Sequence, residues 1–378
     1  NITMNASTSP NNKNIQLINI FTQLSQIYTS LGDEWRAISY KRVCTKIQTF
    51  PHRVRCVDQL QHVRGFGKSV LNKIEEVITT GRLLKLENMQ RDARVQAVMQ
   101  LASIWGIGPR GACHLYEQGY RSVSDLRSRG LHELTEQQRI GLSRHEDLQV
   151  RIPRWEVEEI ERVVRSAATL LLPGVQCVVC GSYRRGNPSS GDVDFLFAPP
   201  AGEEQIDILP SLITHLDQQG FLTDHLTRVE GGVQRRKRTA SYMGVCKLPR
   251  ETSLYRRIDM KSYPRSIFPF AILYFTGSDS FNRSMRYYAK KVKQMSLNDK
   301  GLYHCTQVST DKEGKMKTIK RSPVSCDSER DIFAALGLEY KEPWERNTDN
   351  IGRLTDEEAQ IYGNGEDTQD SDSDLSDS

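Results

Sequence analysis

The sequence predicts an α+β protein, with a wholly helical segment over roughly the first 150 residues and a mixed helix and sheet segment after it. Three observations carry this. Apolar residues recur at helical spacing through residues 15–31 and again beyond the turn "VRGFGKSV" at 63–70. The texture changes near Pro153, where a helix expected over about 154–172 runs up to Pro173. Short strand-like runs then follow, "VQCVVCGSY", "DVDFLFAP" and "YRRIDMKSY".

Taken in order, "IQLINIFTQLSQIYTSL" predicts a first helix and residues 34–49 a second. After "VRGFGKSV", the residues Val70, Leu71, Ile74, Val77 and Ile78 form one apolar helix face, and Gly81 reads as its C-terminal stop. A related pattern returns in "IWGIGPRGACHLYEQG" at 104–119. In both "GFG" and "GIG", two glycines flank a hydrophobe just before a helix. Glycine permits the tight turn, and the free amides at the helix start suit a phosphate. Two such helix-hairpin-helix elements grip a nucleic-acid backbone without reading bases.

Composition agrees with that reading. The 378 residues leave room for two or more domains, and no run approaches the roughly 18–20 apolar residues of a membrane helix. Of the eight cysteines only Cys177 and Cys180 form a CxxC, in an apolar strand-like run without a second pair, which favours buried thiols in a reducing compartment. From Leu354 to Ser378 lie nine acidic residues and no lysine or arginine, so the net charge of +5 leaves +14 on the body without that tail. So basic a body attracts polyanions, nucleic acid first. The tail "GEDTQDSDSDLSDS" is expected to be disordered, and to compete with nucleic acid for the body or to aid solubility. The chain opens on Asn1, which suggests a processed or incomplete chain, and residues 1–14 carry neither a signal-peptide core nor an arginine-rich presequence.

The chemistry is concentrated in "CGSYRRGNPSSGDVDFLF" at 180–197. On a strand, Asp192 and Asp194 project from one face, about 6–7 Å apart. Aspartate is a poor strand former, so a like-charged pair on one face calls for a positive partner. Magnesium supplies it, since that ion binds carboxylates together with substrate phosphates. Asp259 in "RRIDMK" offers a third carboxylate, and three aspartates suit two ions about 3.5–4 Å apart, the arrangement for in-line phosphoryl transfer. In "GSYRRG", Gly181 allows close approach, Ser182 and nearby amides donate to phosphate oxygens, and Arg185 neutralises developing charge. This is a nucleotidyltransferase layout.

With these motifs in order, residues 15–346 resemble the family X DNA polymerases, the DNA polymerase beta family. The 180–197 signature, "RRIDMK", "YFTGSDSFNRSMR" at 274–286, "GIGPRGA" and "SERDIFAALGLEYKEPWER" all match that family. The resemblance implies a flexible N-terminus at 1–14, a lyase domain with the first helix-hairpin-helix at 15–92, and fingers-like helices at 93–152. It further implies a nucleotidyltransferase palm with a mixed sheet at 153–264, a small C-terminal α/β nucleotide-selection subdomain at 265–346, and an acidic tail at 347–378. By the same resemblance, Asp192, Asp194 and Asp259 ligate two Mg²⁺ ions, for which Mn²⁺ can substitute, and Asp259 also deprotonates or orients the primer 3′-hydroxyl. Arg151, Ser182, Arg185, Gly191 and Asp192 meet the triphosphate. Tyr274, Phe275 and Gly277 line the sugar edge, Asp279 and Asn282 face the base, and Arg286 approaches the template. From the residues alone, "YFTGSDSFNRSMR" reads as a buried strand end and a helix start.

A second chemistry is implied at Lys73, whose amine forms a Schiff base with an open 5′-deoxyribose phosphate before β-elimination. Lys68 and Lys85 lie within reach in sequence, and nearby cations and partial burial lower an amine's pKa. DNA contacts are implied for Trp35, Arg36, Tyr40, Gly65, Gly67, Lys68, Lys85, Gly106, Gly108 and Arg286. Backbone carbonyls at Gln61, Val63 and Phe66, and at Ala102, Ile104 and Ile107, resemble sites for Na⁺ or K⁺. The chain departs from the family pattern where Ser69 replaces a phosphate-binding lysine, Trp35 a stacking histidine, Arg36 a lysine, Lys261 an arginine near the aspartates, and Asp299 a glutamate. The basic stretch Arg235, Arg236, Lys237 and Arg238 is expected in a longer loop that either contacts DNA or is simply mobile surface.

The expected function is template-directed gap filling with 5′-deoxyribose-phosphate lyase activity in base excision repair, on gapped or nicked duplex DNA with dNTPs. The alternatives are a template-independent nucleotidyltransferase and a catalytically silent DNA-binding scaffold. A monomer without a membrane anchor, without a proofreading domain and without the amino-terminal protein-interaction domain of longer family members is expected. The Asn1 start inclines the localisation towards the mitochondrion, with the nucleus as the other option.

Overall fold

The computed structural model describes residues 14–63, 65–203, 206–227, 240–310, 316–348 and 350–352. The basic stretch at 235–238 and residues 353–378 of the acidic tail lie outside the described residues. The chain divides after Val150 into two compact units. Among the described residues, no helix is long and apolar enough to cross a membrane.

Helices α1 (Ile15–Ser30), α2 (Glu34–Thr49), α3 (Lys68–Thr80), α4 (Leu84–Arg91) and α5 (Ala93–Ala102) begin the first unit. They are followed by α6 (Pro109–Glu117), α7 (Val123–Arg129), α8 (Glu136–Ser143) and α9 (His145–Gln149). Asp33 caps α2 by accepting from the Arg36 amide, and Gly81 ends α3 at φ 74°, a left-handed geometry that favours glycine. Val70, Ile74 and Val77 of α3 are buried in one core with Phe21, Leu24 and Ile47. A second core gathers Val98, Leu101, Ile104, Ala112, Leu126 and Leu142.

The two glycine turns share a pair of backbone hydrogen bonds. Val63 donates to the Leu60 carbonyl and Phe66 to that of Val63, while Ile104 donates to Leu101 and Ile107 to Ile104. The first glycines, Gly65 and Gly106, sit at φ 92° and 85°. The second ones, Gly67 and Gly108, are the N-caps of α3 and α6 in extended geometry. A β-carbon built on either would meet nothing within 4 Å. The space beside them is open to a ligand's backbone.

In the second unit, β1 (Ile152–Pro153) pairs with β3 (Ser189–Ser190), and α10 (Arg154–Leu171), β2 (Gln176–Val179) and the single turn α11 (Gly181–Arg184) stand between them in sequence. Then come β4 (Val193–Ala198), α12 (Leu209–Gln218), β5 (Leu222–His225), β6 (Ala240–Cys246) and β7 (Arg256–Ser262). The five-stranded sheet has the order β2-β4-β7-β6-β5; β4 and β7 run parallel and the other pairs antiparallel. Val157, Ile160 and Val164 of α10 and Leu212 and Leu216 of α12 pack with Phe195 and Phe197 on one face. Leu196 and Ala198 turn to the other face, against Phe268 and Ala271. That alternation puts Asp194 on the face that α10 does not cover.

The remaining elements are α13 (Phe268–Thr276), α14 (Asp279–Lys291), the antiparallel strands β8 (Met295–Asn298), β9 (Gly301–Thr310) and β10 (Met316–Val324), and α15 (Glu329–Ala335). Phe281, Met285, Tyr288, Ile332, Phe333 and Leu336 form their core. The strand end expected in "YFTGSDSF" is therefore corrected: Tyr274 and Phe275 close a helix. The apolar run before them is buried around most of its circumference, a pattern that periodicity alone does not separate from a buried strand.

Candidate active sites

The parallel register of β4 and β7 sets Asp194 directly beside Asp259. Neighbouring strands lie about 4.8 Å apart, so the two side chains share one patch of the sheet. Asp192 stands one residue before β4 in the bend that follows β3, rather than on the strand itself. Oxygens of the three carboxylates come within 4.8 Å of one another. Burial, and then the Asp259 carboxylate, push the Asp194 carboxyl up to about 7. Burial also raises Asp259, against the opposing charges of Arg257 and Lys261.

The positive partner that paired carboxylates call for is partly supplied by the chain itself. Arg257 pairs with Asp192, and its Nε lies 3.8 Å from Asp259 Oδ1. Sequence reasoning missed this residue, although its position two before Asp259 on a strand puts both on one face. Oδ1 of Asp259 is buried with no hydrogen-bond partner. Three clustered acidic groups with an orphaned buried oxygen fit a hard divalent cation.

The turn above the carboxylates is shaped by them. Gly181 sits at φ 60°, and a β-carbon there would lie 2.5 Å from Asp194 Oδ2. Ser182 donates to the Ser190 hydroxyl at 3.0 Å. Arg151 donates to the hydroxyl and the carbonyl of Ser189 at 2.8 and 2.6 Å, and a β-carbon at Gly191 would lie 3.9 Å from Arg151 Nη1. Arg151, Ser182, Gly191 and Asp192 thus border the short β1–β3 pairing.

Arg185 stands near enough to Asp194 for the two charges to interact. It donates to the Thr276 carbonyl at 2.6 Å and to Asn347 at 2.9 Å, and burial lowers its pKa. It therefore braces the Thr276–Gly277 turn. Arg184, which sequence reasoning passed over, donates to Thr276 Oγ1 and to Glu329, and Glu329 also pairs with the buried Arg346. Arg346 in turn accepts at its carbonyl from the Ser278 amide at 3.1 Å. Tyr274 and Phe275 meet edge to face at 5.1 Å, and Lys261 Nζ lies 4.7 Å from the Phe275 ring. Asn282 is committed to the Tyr274 carbonyl at 2.5 Å, Asp279 pairs with Arg283 at 3.3 Å, and Arg286 stands 6.0 Å from the Tyr274 ring. Asp299 accepts from the Tyr263 hydroxyl at 2.7 Å.

In the first unit, a pocket at the start of α3 is lined by Lys68, Ser69, Asn72, Lys73 and Glu76. Lys73 Nζ donates to the carbonyl and the hydroxyl of Ser69 at 2.8 and 2.7 Å. Burial, and then the charge on Lys85, hold Lys73 below the ordinary lysine range. Lys85 itself is kept charged, first by its hydrogen bond with Tyr28. Trp35 is 71% exposed, and the Arg36 guanidinium lies 5.6 Å from the Tyr28 ring. Tyr40, implied as a DNA contact, is largely buried. Its ring is 6% exposed and packs at 5.8 Å from Phe21 and 5.7 Å from Tyr28, because the apolar body of a tyrosine is worth more in the core than in water. The carbonyls of Val63 and Ile104, within the implied monovalent-cation sites, each accept the N–H of the third residue on, at 3.3 and 3.0 Å.

Comparison with known families and proteins completes the picture. Residues 12–83 match a helix-hairpin-helix domain, 99–149 the fingers domain of DNA polymerase lambda, 151–265 the DNA polymerase beta palm and 271–347 the DNA polymerase beta thumb. A DNA polymerase lambda of Arabidopsis thaliana is 37% identical over 89% of this chain and 63% of its own length. One of Rattus norvegicus is 38% identical over 90% of this chain and 58% of its own. The DNA-directed DNA/RNA polymerase mu of Homo sapiens is 30% identical over 84% of this chain and 65% of its own. The chain thus spans less than two thirds of the length of each of these relatives.

Proposed function

The chain belongs to the family X DNA polymerases, and from that premise we propose that it fills short gaps in duplex DNA from dNTPs and removes 5′-deoxyribose phosphate, as base excision repair requires. The observation that carries the first activity is the convergence of Asp192, Asp194 and Asp259. These residues would hold two Mg²⁺ ions, or Mn²⁺ in their place. When bound, such ions acidify the primer hydroxyl and neutralise the triphosphate. Asp259 orients the primer 3′-hydroxyl and takes up its proton. The 3′-oxygen then bonds to the α-phosphorus, and pyrophosphate leaves with the electrons of the broken bond. Arg151, Ser182 and the Gly191 amide border the space for the triphosphate. Tyr274, Phe275 and Gly277 form the wall against the sugar.

For the second activity, the lowered Lys73 amine attacks the opened sugar to form a Schiff base, which makes the adjacent C–H acidic enough for β-elimination. The hairpins around Gly67 and Gly108 hold the DNA backbone, with Na⁺ or K⁺ at their carbonyls, and Trp35 stacks on a base. Extension of a primer across a one-nucleotide gap, with and without Mg²⁺ and with and without template, tests the first reading. Extension that ignores the template would replace it with terminal nucleotide addition. No extension alongside tight DNA binding would leave a DNA-binding scaffold.

A further inference from the structure

This inference rests on the lyase reading of Lys73. Lysine side chains ordinarily extend their ammonium groups into water. Lys73 instead folds back one helical turn, where both oxygens of Ser69 accept from its Nζ. A neutral amine has two N–H donors and one lone pair. With both donors spent on the helix side, the lone pair is left to face the pocket lined by Lys68, Asn72 and Glu76. A hydroxyl also does what a cation at that position cannot, since it accepts a proton as well as donating one.

We propose that Ser69 is a catalytic residue of the lyase site, whose hydroxyl aims the Lys73 amine and relays protons between that nitrogen and the sugar oxygen. As the Nζ lone pair bonds to the aldehyde carbon C1′, nitrogen carries one proton too many and the former carbonyl oxygen one too few. Ser69 Oγ takes the proton from nitrogen while its own proton passes to that oxygen, which leaves a neutral carbinolamine and an unchanged serine. A second passage of a proton from nitrogen through Oγ to the hydroxyl releases water. The C–O bond breaks with its electrons and the C=N bond forms. The imine then takes a proton from solvent and draws electrons from C2′. Geometry makes the relay local, because all the protein atoms involved lie within one turn of α3. The lowered Lys73 pKa agrees with it, since only the neutral amine attacks.

Single-turnover borohydride trapping of the full chain on incised abasic duplex DNA tests this. At saturating DNA, Ser69→Ala is expected to slow trapping about 10²-fold. DNA affinity should stay unchanged, Ser69→Thr should restore most of the rate, and imidazole buffer should rescue the alanine variant. A Ser69→Ala protein that traps as fast as the unmodified chain overturns the relay, and so does a loss confined to affinity for a 5′-phosphorylated end. Failure of the unmodified chain to trap at all, or trapping undiminished in Lys73→Ala, would instead remove the lyase reading itself.

Discussion

The two candidate sites use burial in opposite senses. At the carboxylates, desolvation and a like neighbour raise the Asp194 pKa, so that the charged form needs a cation. At the amine, desolvation and a like neighbour lower the Lys73 pKa, which favours the uncharged nucleophile. Their construction differs too. The carboxylates come from β4, β7 and the bend before β4, joined by parallel strand pairing. The amine and its partner lie four residues apart on one helix. One site is a product of the sheet, the other of a single turn.

If the sites are independent chemistries, each can be removed alone. Asp194→Asn, which keeps the size of the side chain and removes its charge, should cut gap filling by about 10³-fold or more. Trapping through Lys73 should survive that change, and a loss of both activities in a folded protein would break the comparison. Lys73→Ala should lower borohydride trapping by about 10²-fold or more and leave gap-filling rates intact.

A smaller effect sharpens the electrostatic half of the comparison. The neutral Lys73 amine is populated above its pKa, so a lowered pKa moves the onset of trapping to lower pH. Lys85→Ala removes a charge that helps lower it, so the midpoint of the trapping rate against pH should move up. A midpoint that stays in place would assign the shift to burial alone.

The smallest changes should come from the hairpins. Methyl groups at Gly67 or Gly108 enter open space at ordinary φ, so Gly67→Ala and Gly108→Ala should leave the melting temperature nearly unchanged. Each should weaken DNA binding by about 3–10-fold, equivalent to roughly 1 kcal/mol, if phosphate approaches there. An effect at Gly67 alone, read by fluorescence anisotropy, would show that the two glycine turns do not share the work. Because phosphate contacts release counterions, added salt should weaken binding in every variant.

Much of this was legible in sequence because the signals were local. Helical periodicity located α1, α2 and α10, Gly81 marked the end of α3, and the two glycine turns revealed a repeat that the backbone reproduces in two matching pairs of hydrogen bonds. What escaped were partners that depend on distant chain. Nothing in "SYRRG" tells that Arg185 is spent on the Thr276 carbonyl, or that Arg184 reaches Glu329. Arg256 likewise finds Glu156, a buried pair joined by two bonds of 2.7 Å. Nor does a tyrosine on a helix face carry a local mark of which way its ring will pack, and Tyr40 turns towards Phe21 and Tyr28.

The sequence by itself determined the candidates for the chemistry: a D-x-D pair, an isolated strand aspartate, an amine on an amphipathic helix, and glycines at the starts of helices. Their residue types and short spacings mark them as candidates, because strand alternation, helix periodicity and glycine's freedom act over a few residues. Only the tertiary structure decided that Asp259 lands beside Asp194, that Arg257 stands between the carboxylates, and how far burial displaces each proton. Those outcomes follow from strand register and solvent exclusion, which depend on the packing of segments far apart in the chain.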